Sequence, residues 1–238
     1  MSTVIYSRSS GPIPINPKPL PGSINTISND CVAVIRQNPS ILTWYNTTYQ
    51  QNEDEMLTCE CDAALELSNN LSSIIKEVDP DRNLGSYRLM SVIDRDTTHR
   101  SPNALNAESV AQLSGTASDV HRDLDEHAVT NLKENGEVAW YNVWIPLKTI
   151  TDDPLGFITP SSIDYNKELT GFMGVGSGVT DKTGLIHSEK HEWSYAKDMK
   201  IGDALIWRSE VVYHAAIKGL GDGQGRRSVD FRLALKNP

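Results

Sequence analysis

The apolar positions change period about a third of the way along the chain. From about Glu53 to Val78 they recur at mixed three- and four-residue spacings (Leu57, Ala64, Leu65, Leu71, Ile74, Ile75, Val78), which predicts one or two amphipathic helices. Asp79-Pro80 closes that pattern, because proline cannot continue the helical hydrogen-bond ladder. Beyond it the apolar residues form short β-rich runs at 87–93, 138–147, 204–207, 211–214 and 228–235, each bounded by Gly, Pro, Asp or Asn. Runs of this length and spacing predict an antiparallel sandwich or barrel, not a parallel sheet fed by long helices. Residues 1–22 carry five prolines and read as an extended N-terminal arm. Between about 159 and 200 lies a polar segment containing GFMGVGSGVTDKTG, long enough to suggest a lid-like insertion over a site. The expectation is one domain over 1–238, mainly β with flanking helices.

Composition narrows the function classes. Hydrophobic content of 38% and charged content of 22% describe an ordinary globular chain. No run of eighteen apolar residues is present, and the N-terminus lacks the pattern of a secretory signal, so no membrane association is expected. A net charge of −9 without a Lys/Arg cluster argues against nucleic acid as a partner, since phosphate binding needs concentrated positive charge. Cys31, Cys59 and Cys61 are too few for a disulfide framework, and a reducing, cytoplasmic setting is the simplest reading.

The chemistry begins with Val120-His121-Arg122-Asp123, followed 91 residues after Asp123 by Val212-Tyr213-His214. In an extended strand, residues i and i+2 point to the same side, so His121 and Asp123 can project together into a barrel interior. One histidine from a distant strand then completes two nitrogens and one carboxylate on a single face of a metal. Such a set leaves three positions open, as Fe(II) requires to hold a bidentate cosubstrate and dioxygen. A His-x-Asp tripeptide is by itself a weak signal, and a charged surface loop is the competing explanation. Twelve and fourteen residues past His214 come Arg226 and Ser228, which share a strand face. A guanidinium fork with a hydroxyl suits the distal carboxylate of a dicarboxylic acid. Arg227 could replace Arg226 if the register differed by one, although parity with Ser228 favours Arg226.

His121-x-Asp123, the strand Asn142-Val143-Trp144-Ile145-Pro146-Leu147 with Asp152-Asp153-Pro154-Leu155 behind it, Gly202-Asp203-Ala204-Leu205 before His214, and Arg226-x-Ser228 together resemble the Fe(II)/2-oxoglutarate-dependent dioxygenases. Within them the look is closest to the phytanoyl-CoA-dioxygenase-like and small-molecule biosynthetic hydroxylase-like group. The resemblance spans about Val120 to Leu235, roughly half the chain. It implies a double-stranded β-helix, the jelly-roll or cupin-like barrel, with helices against one sheet. It further implies that His121, Asp123 and His214 ligate Fe(II), and that Arg226 and Ser228 bind the 2-oxoglutarate tail. Trp144 matches a position lining the cosubstrate pocket, and Asn142 shares its strand face. The implied activity couples oxidative decarboxylation of 2-oxoglutarate by O2 to hydroxylation, desaturation or ring formation of a small-molecule metabolite. Asp123 occupies the coordination position that halogenating relatives leave vacant for chloride. Neither the substrate nor the oligomeric state is legible.

Other motifs are set aside. His121-Arg122-Asp123-Leu124 copies a kinase catalytic loop, but Ala128 stands where its Asn belongs. The glycines around Gly176 lack the Gly-Lys-Ser/Thr of a phosphate-binding loop. His187 and His191 are four apart without the HExxH order, Cys59 and Cys61 have no second pair, and the position of His127 does not fit the strand of Asp123. Two alternatives remain: a cupin-like metalloenzyme that does not use 2-oxoglutarate, and a non-catalytic barrel that binds a small ligand.

Overall fold

The computed structural model describes residues 1–27, 32–52, 57–96, 119–171, 183–221 and 226–238. In chain order the strands are β1 (Thr3–Val4), β2 (Ile13–Pro14), β3 (Lys18–Pro19), β4 (Ala33–Ile35) and β5 (Tyr87–Asp96). They continue with β6 (His121–Arg122), β7 (Glu137–Pro146), β8 (Leu155–Ile158), β9 (Leu169–Gly171) and β10 (Thr183–Leu185). The last four are β11 (Trp193–Tyr195), β12 (Ala204–Arg208), β13 (His214–Ala216) and β14 (Arg227–Lys236). Among the described residues the α-helices are α1 (Pro39–Trp44), α2 (Asp62–Val78) and α3 (Glu126–Glu134).

Two sheets dominate. One has the order β4-β12-β7-β14-β5, the other β3-β11-β8-β13-β6-β10-β9. Among the described residues the named strands pair antiparallel except β11 with β3. The sheets face each other as a jelly roll, and among the described residues no strand pairing joins one to the other. Strand alternation assigns each face its neighbours. On β7 and β14, Tyr141, Val143, Ile145, Val229, Phe231 and Leu233 turn outward and join the core built with α1 and α2. Their strand-mates Asn142, Trp144, Ser228, Asp230 and Arg232 turn inward, toward the second sheet.

Helix α2 follows from its sequence: Ala64, Leu67, Leu71, Ile74, Ile75 and Val78 form one buried stripe, and Asp79 caps the end before Pro80. Of the one or two helices expected over about 53–78 it supplies Asp62–Val78, and residues 53–56 lie outside the described residues. Leu57 precedes the helix with its N–H bonded to Asp94 at 3.2 Å, so the chain there is tied to the sheet. Leu65, counted with the apolar stripe, is 42% exposed. Helix α1 carries no apolar period long enough to announce it. It is instead specified locally by Asn38, whose side chain accepts from the N–H groups of Ser40 and Ile41, and by Pro39 at its first position.

The expected strands at 87–93, 138–147, 204–207 and 228–235 are β5, β7, β12 and β14. The run at 211–214 is corrected: Val211 and Val212 sit in a turn whose N–H groups bond Arg208, and the strand starts at His214. The turn is needed because β12 and β13 belong to different sheets. The N-terminal arm supplies β1, β2 and β3, with Val4 and Tyr6 buried on the outer face of the seven-stranded sheet. The expected insertion at 159–200 supplies β9, β10 and β11; its glycine-rich residues 172–182 lie outside the described residues, as does Cys31.

Candidate metal centre

His121 reaches the interior from β6, and Asp123 from the bend that follows it. His214 opens β13 directly opposite, its Cα in register with that of His121. All three are buried, at 3%, 3% and 4% exposure. One ligand atom from each lies within 4.8 Å of the other two. His121 Nε2 stands 3.6 Å from Asp123 Oδ1, and His214 Nε2 stands 3.6 Å from Asp123 Oδ2. Donors so placed can share an ion roughly 2 Å from each, the usual bond length for imidazole and carboxylate ligands. The far nitrogens fix the tautomers. His121 Nδ1 donates to the Asp119 carbonyl at 2.7 Å and His214 Nδ1 to the Val212 carbonyl at 3.3 Å, which leaves both Nε2 lone pairs facing the site. Trp207 meets the His214 ring edge-on at 5.0 Å and packs on Phe157, closing that side with apolar surface. Arg122, between the two ligands in sequence, points the other way, over Tyr213 and toward Glu126.

A second group of inward residues stands on the five-stranded sheet. Arg226 is 1% exposed, donates to the Asp153 carbonyl at 2.6 Å and lies over the Trp144 ring at 5.4 Å. Burial pushes its pKa down to about 9, which leaves it a cation at neutral pH. Ser228 is fully buried, and its hydroxyl has no hydrogen-bond partner among the described residues; the same holds for Trp144 Nε1. A buried hydroxyl and indole N–H without partners are costly to maintain. Beside a buried guanidinium they fit an anionic ligand seated over Trp144. Arg227 faces the opposite way, over Tyr49 and 3.7 Å from Asp94. Arg226 is therefore the inward arginine, as parity requires.

Asn142 stands at the Asp123 carboxylate: its Nδ2 donates to Asp123 Oδ2 at 2.7 Å. Three further inward residues escaped the sequence reading. Arg232 Nη2 bonds Asp123 Oδ1 at 2.7 Å, and the Ser209 hydroxyl donates to Asn142 Oδ1. Asp230 is 9% exposed, 4.0 Å from Arg95, and its pKa is raised by burial. Extending the period-two rule from Arg226 and Ser228 reaches Asp230 and Arg232. No comparable pattern marks Ser209. His127, His191, Cys59 and Cys61 lie outside this cluster. His191 bonds Glu168 and Tyr6, His127 is exposed on α3, and Cys59 and Cys61 are free.

Fold and site together define a jelly-roll protein with a two-histidine, one-carboxylate cluster able to hold a metal. Residues 96–233 match the family model described as the oxidoreductase/YMDC permease-like domain, and the chain belongs to that family. No helix among the described residues is long and apolar enough to cross a membrane. No curated protein sequence matches the chain. Among solved structures, the iron and alpha-ketoglutarate-dependent endoperoxidase NvfI is similar with a TM-score of 0.61 at 17% identity, over 90% of this chain and 80% of that one. The epimerase SnoN, in complex with Fe3+, alpha ketoglutarate and nogalamycin RO, is similar with a TM-score of 0.50 at 9% identity, over 86% and 79%. At these identities the likeness is one of fold.

Proposed function

We propose that the protein is a non-haem iron oxygenase that consumes 2-oxoglutarate and O2 to oxidise a small molecule. The observation that carries this reading is the convergence of His121, Asp123 and His214 with a buried Arg226–Ser228 pair across the same interior. NvfI and SnoN are named for iron and alpha-ketoglutarate, which supports the same pairing of metal and cosubstrate here. Fe(II) would be held by the three ligands and 2-oxoglutarate by Arg226 and Ser228. When bound, the pair supplies the oxidising power to remove hydrogen from a carbon centre. In the hydroxylation case the balance is 2-oxoglutarate, O2 and R–H giving succinate, CO2 and R–OH.

The chain's own residues have separate tasks in this reading. Arg226 neutralises the distal carboxylate, and Ser228 adds a hydrogen bond that orients it. Trp144 forms a flat apolar floor beneath the chain of the dicarboxylate. Trp207 and Phe157 exclude water from the His214 side, which strengthens every charge interaction inside. The test is succinate formation from 2-oxoglutarate with Fe(II) and ascorbate. Turnover is expected in the wild type, even if slow without the true substrate, and none in His121→Ala. A wild type that neither binds nor consumes 2-oxoglutarate would sink the proposal in favour of a cupin-like enzyme or a ligand-binding barrel.

A further inference from the structure

The metal carboxylate is held by residues of the sheet opposite its own. Asn142 and Arg232 are register partners on β7 and β14. Directly opposed residues on adjacent strands present their side chains on one face about 5 Å apart, so two donors stand side by side beneath Asp123. Each takes one oxygen: Arg232 Nη2 bonds Oδ1 and Asn142 Nδ2 bonds Oδ2, both at 2.7 Å. The same two oxygens face His121 Nε2 and His214 Nε2 respectively, each at 3.6 Å.

Asn142 is itself locked. Its carbonyl oxygen accepts from the Ser209 hydroxyl, which leaves the NH2 end for Asp123 and settles the orientation of the amide. Ser209 is fully buried, and its N–H bonds the Trp140 carbonyl at 3.0 Å. Its own carbonyl accepts from Leu124, the residue after Asp123, at 3.4 Å. A ring of contacts therefore runs from Asp123 to Asn142, to Ser209, to Leu124 and back to Asp123. Rotating the carboxylate would break a charged bond to Arg232 and a bond within this ring.

We infer that Arg232, Asn142 and Ser209 are positioning residues that fix the orientation of the Asp123 carboxylate between His121 and His214. The inference rests on the metal-centre reading given above. The guanidinium also offsets the carboxylate charge, so two neutral imidazoles, Asp123 and Arg232 together carry no net charge before the metal enters. A divalent ion there keeps its full charge toward an anionic ligand.

Co(II) is the probe, because its affinity and visible spectrum report the ligand set without turnover. Wild-type protein is expected to bind one Co(II) per chain, and His121→Ala to lose it. Removing a residue that orients a metal ligand typically lowers metal affinity roughly 10- to 100-fold. That loss, with an altered Co(II) spectrum, is expected for Arg232→Met. Arg232→Lys should recover most of the affinity and the wild-type spectrum, and Ser209→Ala should weaken binding less than Arg232→Met. If folded Arg232→Met and Ser209→Ala bind Co(II) with wild-type affinity and spectrum, the positioning role is wrong while the metal centre stands. If Arg232→Met does not fold, wild-type binding and spectrum in Ser209→Ala decide against the role. If wild-type protein binds no Co(II), or His121→Ala binds it equally, the metal centre itself fails and this inference with it.

Discussion

Arg226 and Arg227 are neighbours in sequence and opposites in environment. The first is buried over Trp144; the second lies over Tyr49 on the helix side of the sheet. A hydrogen bond to a charged group is worth about 1.5–3 kcal/mol. Arg226→Ala should therefore weaken 2-oxoglutarate binding roughly 10- to 100-fold and metal binding far less. Arg227→Ala should change either by no more than about threefold. Calorimetric titration of both variants checks the pair, and equal losses of metal and cosubstrate in Arg226→Ala would argue against its role. At this scale much was legible. Parity along one strand picked out the arginine that the fold buries, and His-x-Asp with a distant histidine picked out three residues that the fold brings together. Asn142 was placed on the right face, but its partner Asp123 was invisible, because the contact crosses from one sheet to the other. Ser209 was invisible for the same reason: its importance arises from a ring of contacts, not from spacing.

The elements follow the sequence where their cause is local and depart from it where the cause is tertiary. Strands β5, β7, β12 and β14 follow from their own short β-rich runs and were anticipated. The start of β13 was misplaced because Val211 and Val212 look like strand residues but serve the crossing between sheets. Helix α1 depends on its cap: Asn38→Ala should cost about 1 kcal/mol, measured by chemical denaturation. The N-terminal arm is anchored by a chain of bonds in which Trp193 donates to the Tyr6 hydroxyl, Tyr6 to His191 Nδ1, and His191 Nε2 to Glu168. This chain needs neutral His191, and burial holds its pKa below the ordinary 6.5. Unfolded His191 takes a proton as the pH falls through about 6.5, whereas the folded residue takes one only at lower pH. Unfolding then binds a proton, so this contribution is fully present above that pH and declines below it. Melting temperatures measured between about pH 7 and about pH 5 should fall less steeply in His191→Gln than in the wild type. Parallel pH profiles would contradict this account of the arm.

For the whole molecule, His121 and His214 stand on the seven-stranded sheet with Asp123 just after β6, while Asn142, Trp144, Ser228 and Arg232 stand on the five-stranded one. Ligands bound between the sheets should hold them together. A ligand at a hundred times its Kd adds about 2.7 kcal/mol to the stability of the folded state. In a chain of this size that corresponds to a rise of roughly 5–10 °C in melting temperature. A redox-inert divalent ion with 2-oxoglutarate should produce such a rise in the wild type and not in His214→Ala.

The most direct test of the central claim is the visible spectrum of the Fe(II) protein under anaerobic conditions as 2-oxoglutarate is added. If His121, Asp123 and His214 hold Fe(II) with two adjacent positions open, 2-oxoglutarate chelates it. A charge-transfer band then appears that neither Fe(II) nor 2-oxoglutarate gives alone, saturates at one equivalent per chain, and requires far more 2-oxoglutarate in Arg226→Ala. No band at saturating Fe(II) and 2-oxoglutarate, or one that persists in His121→Ala, would contradict the account.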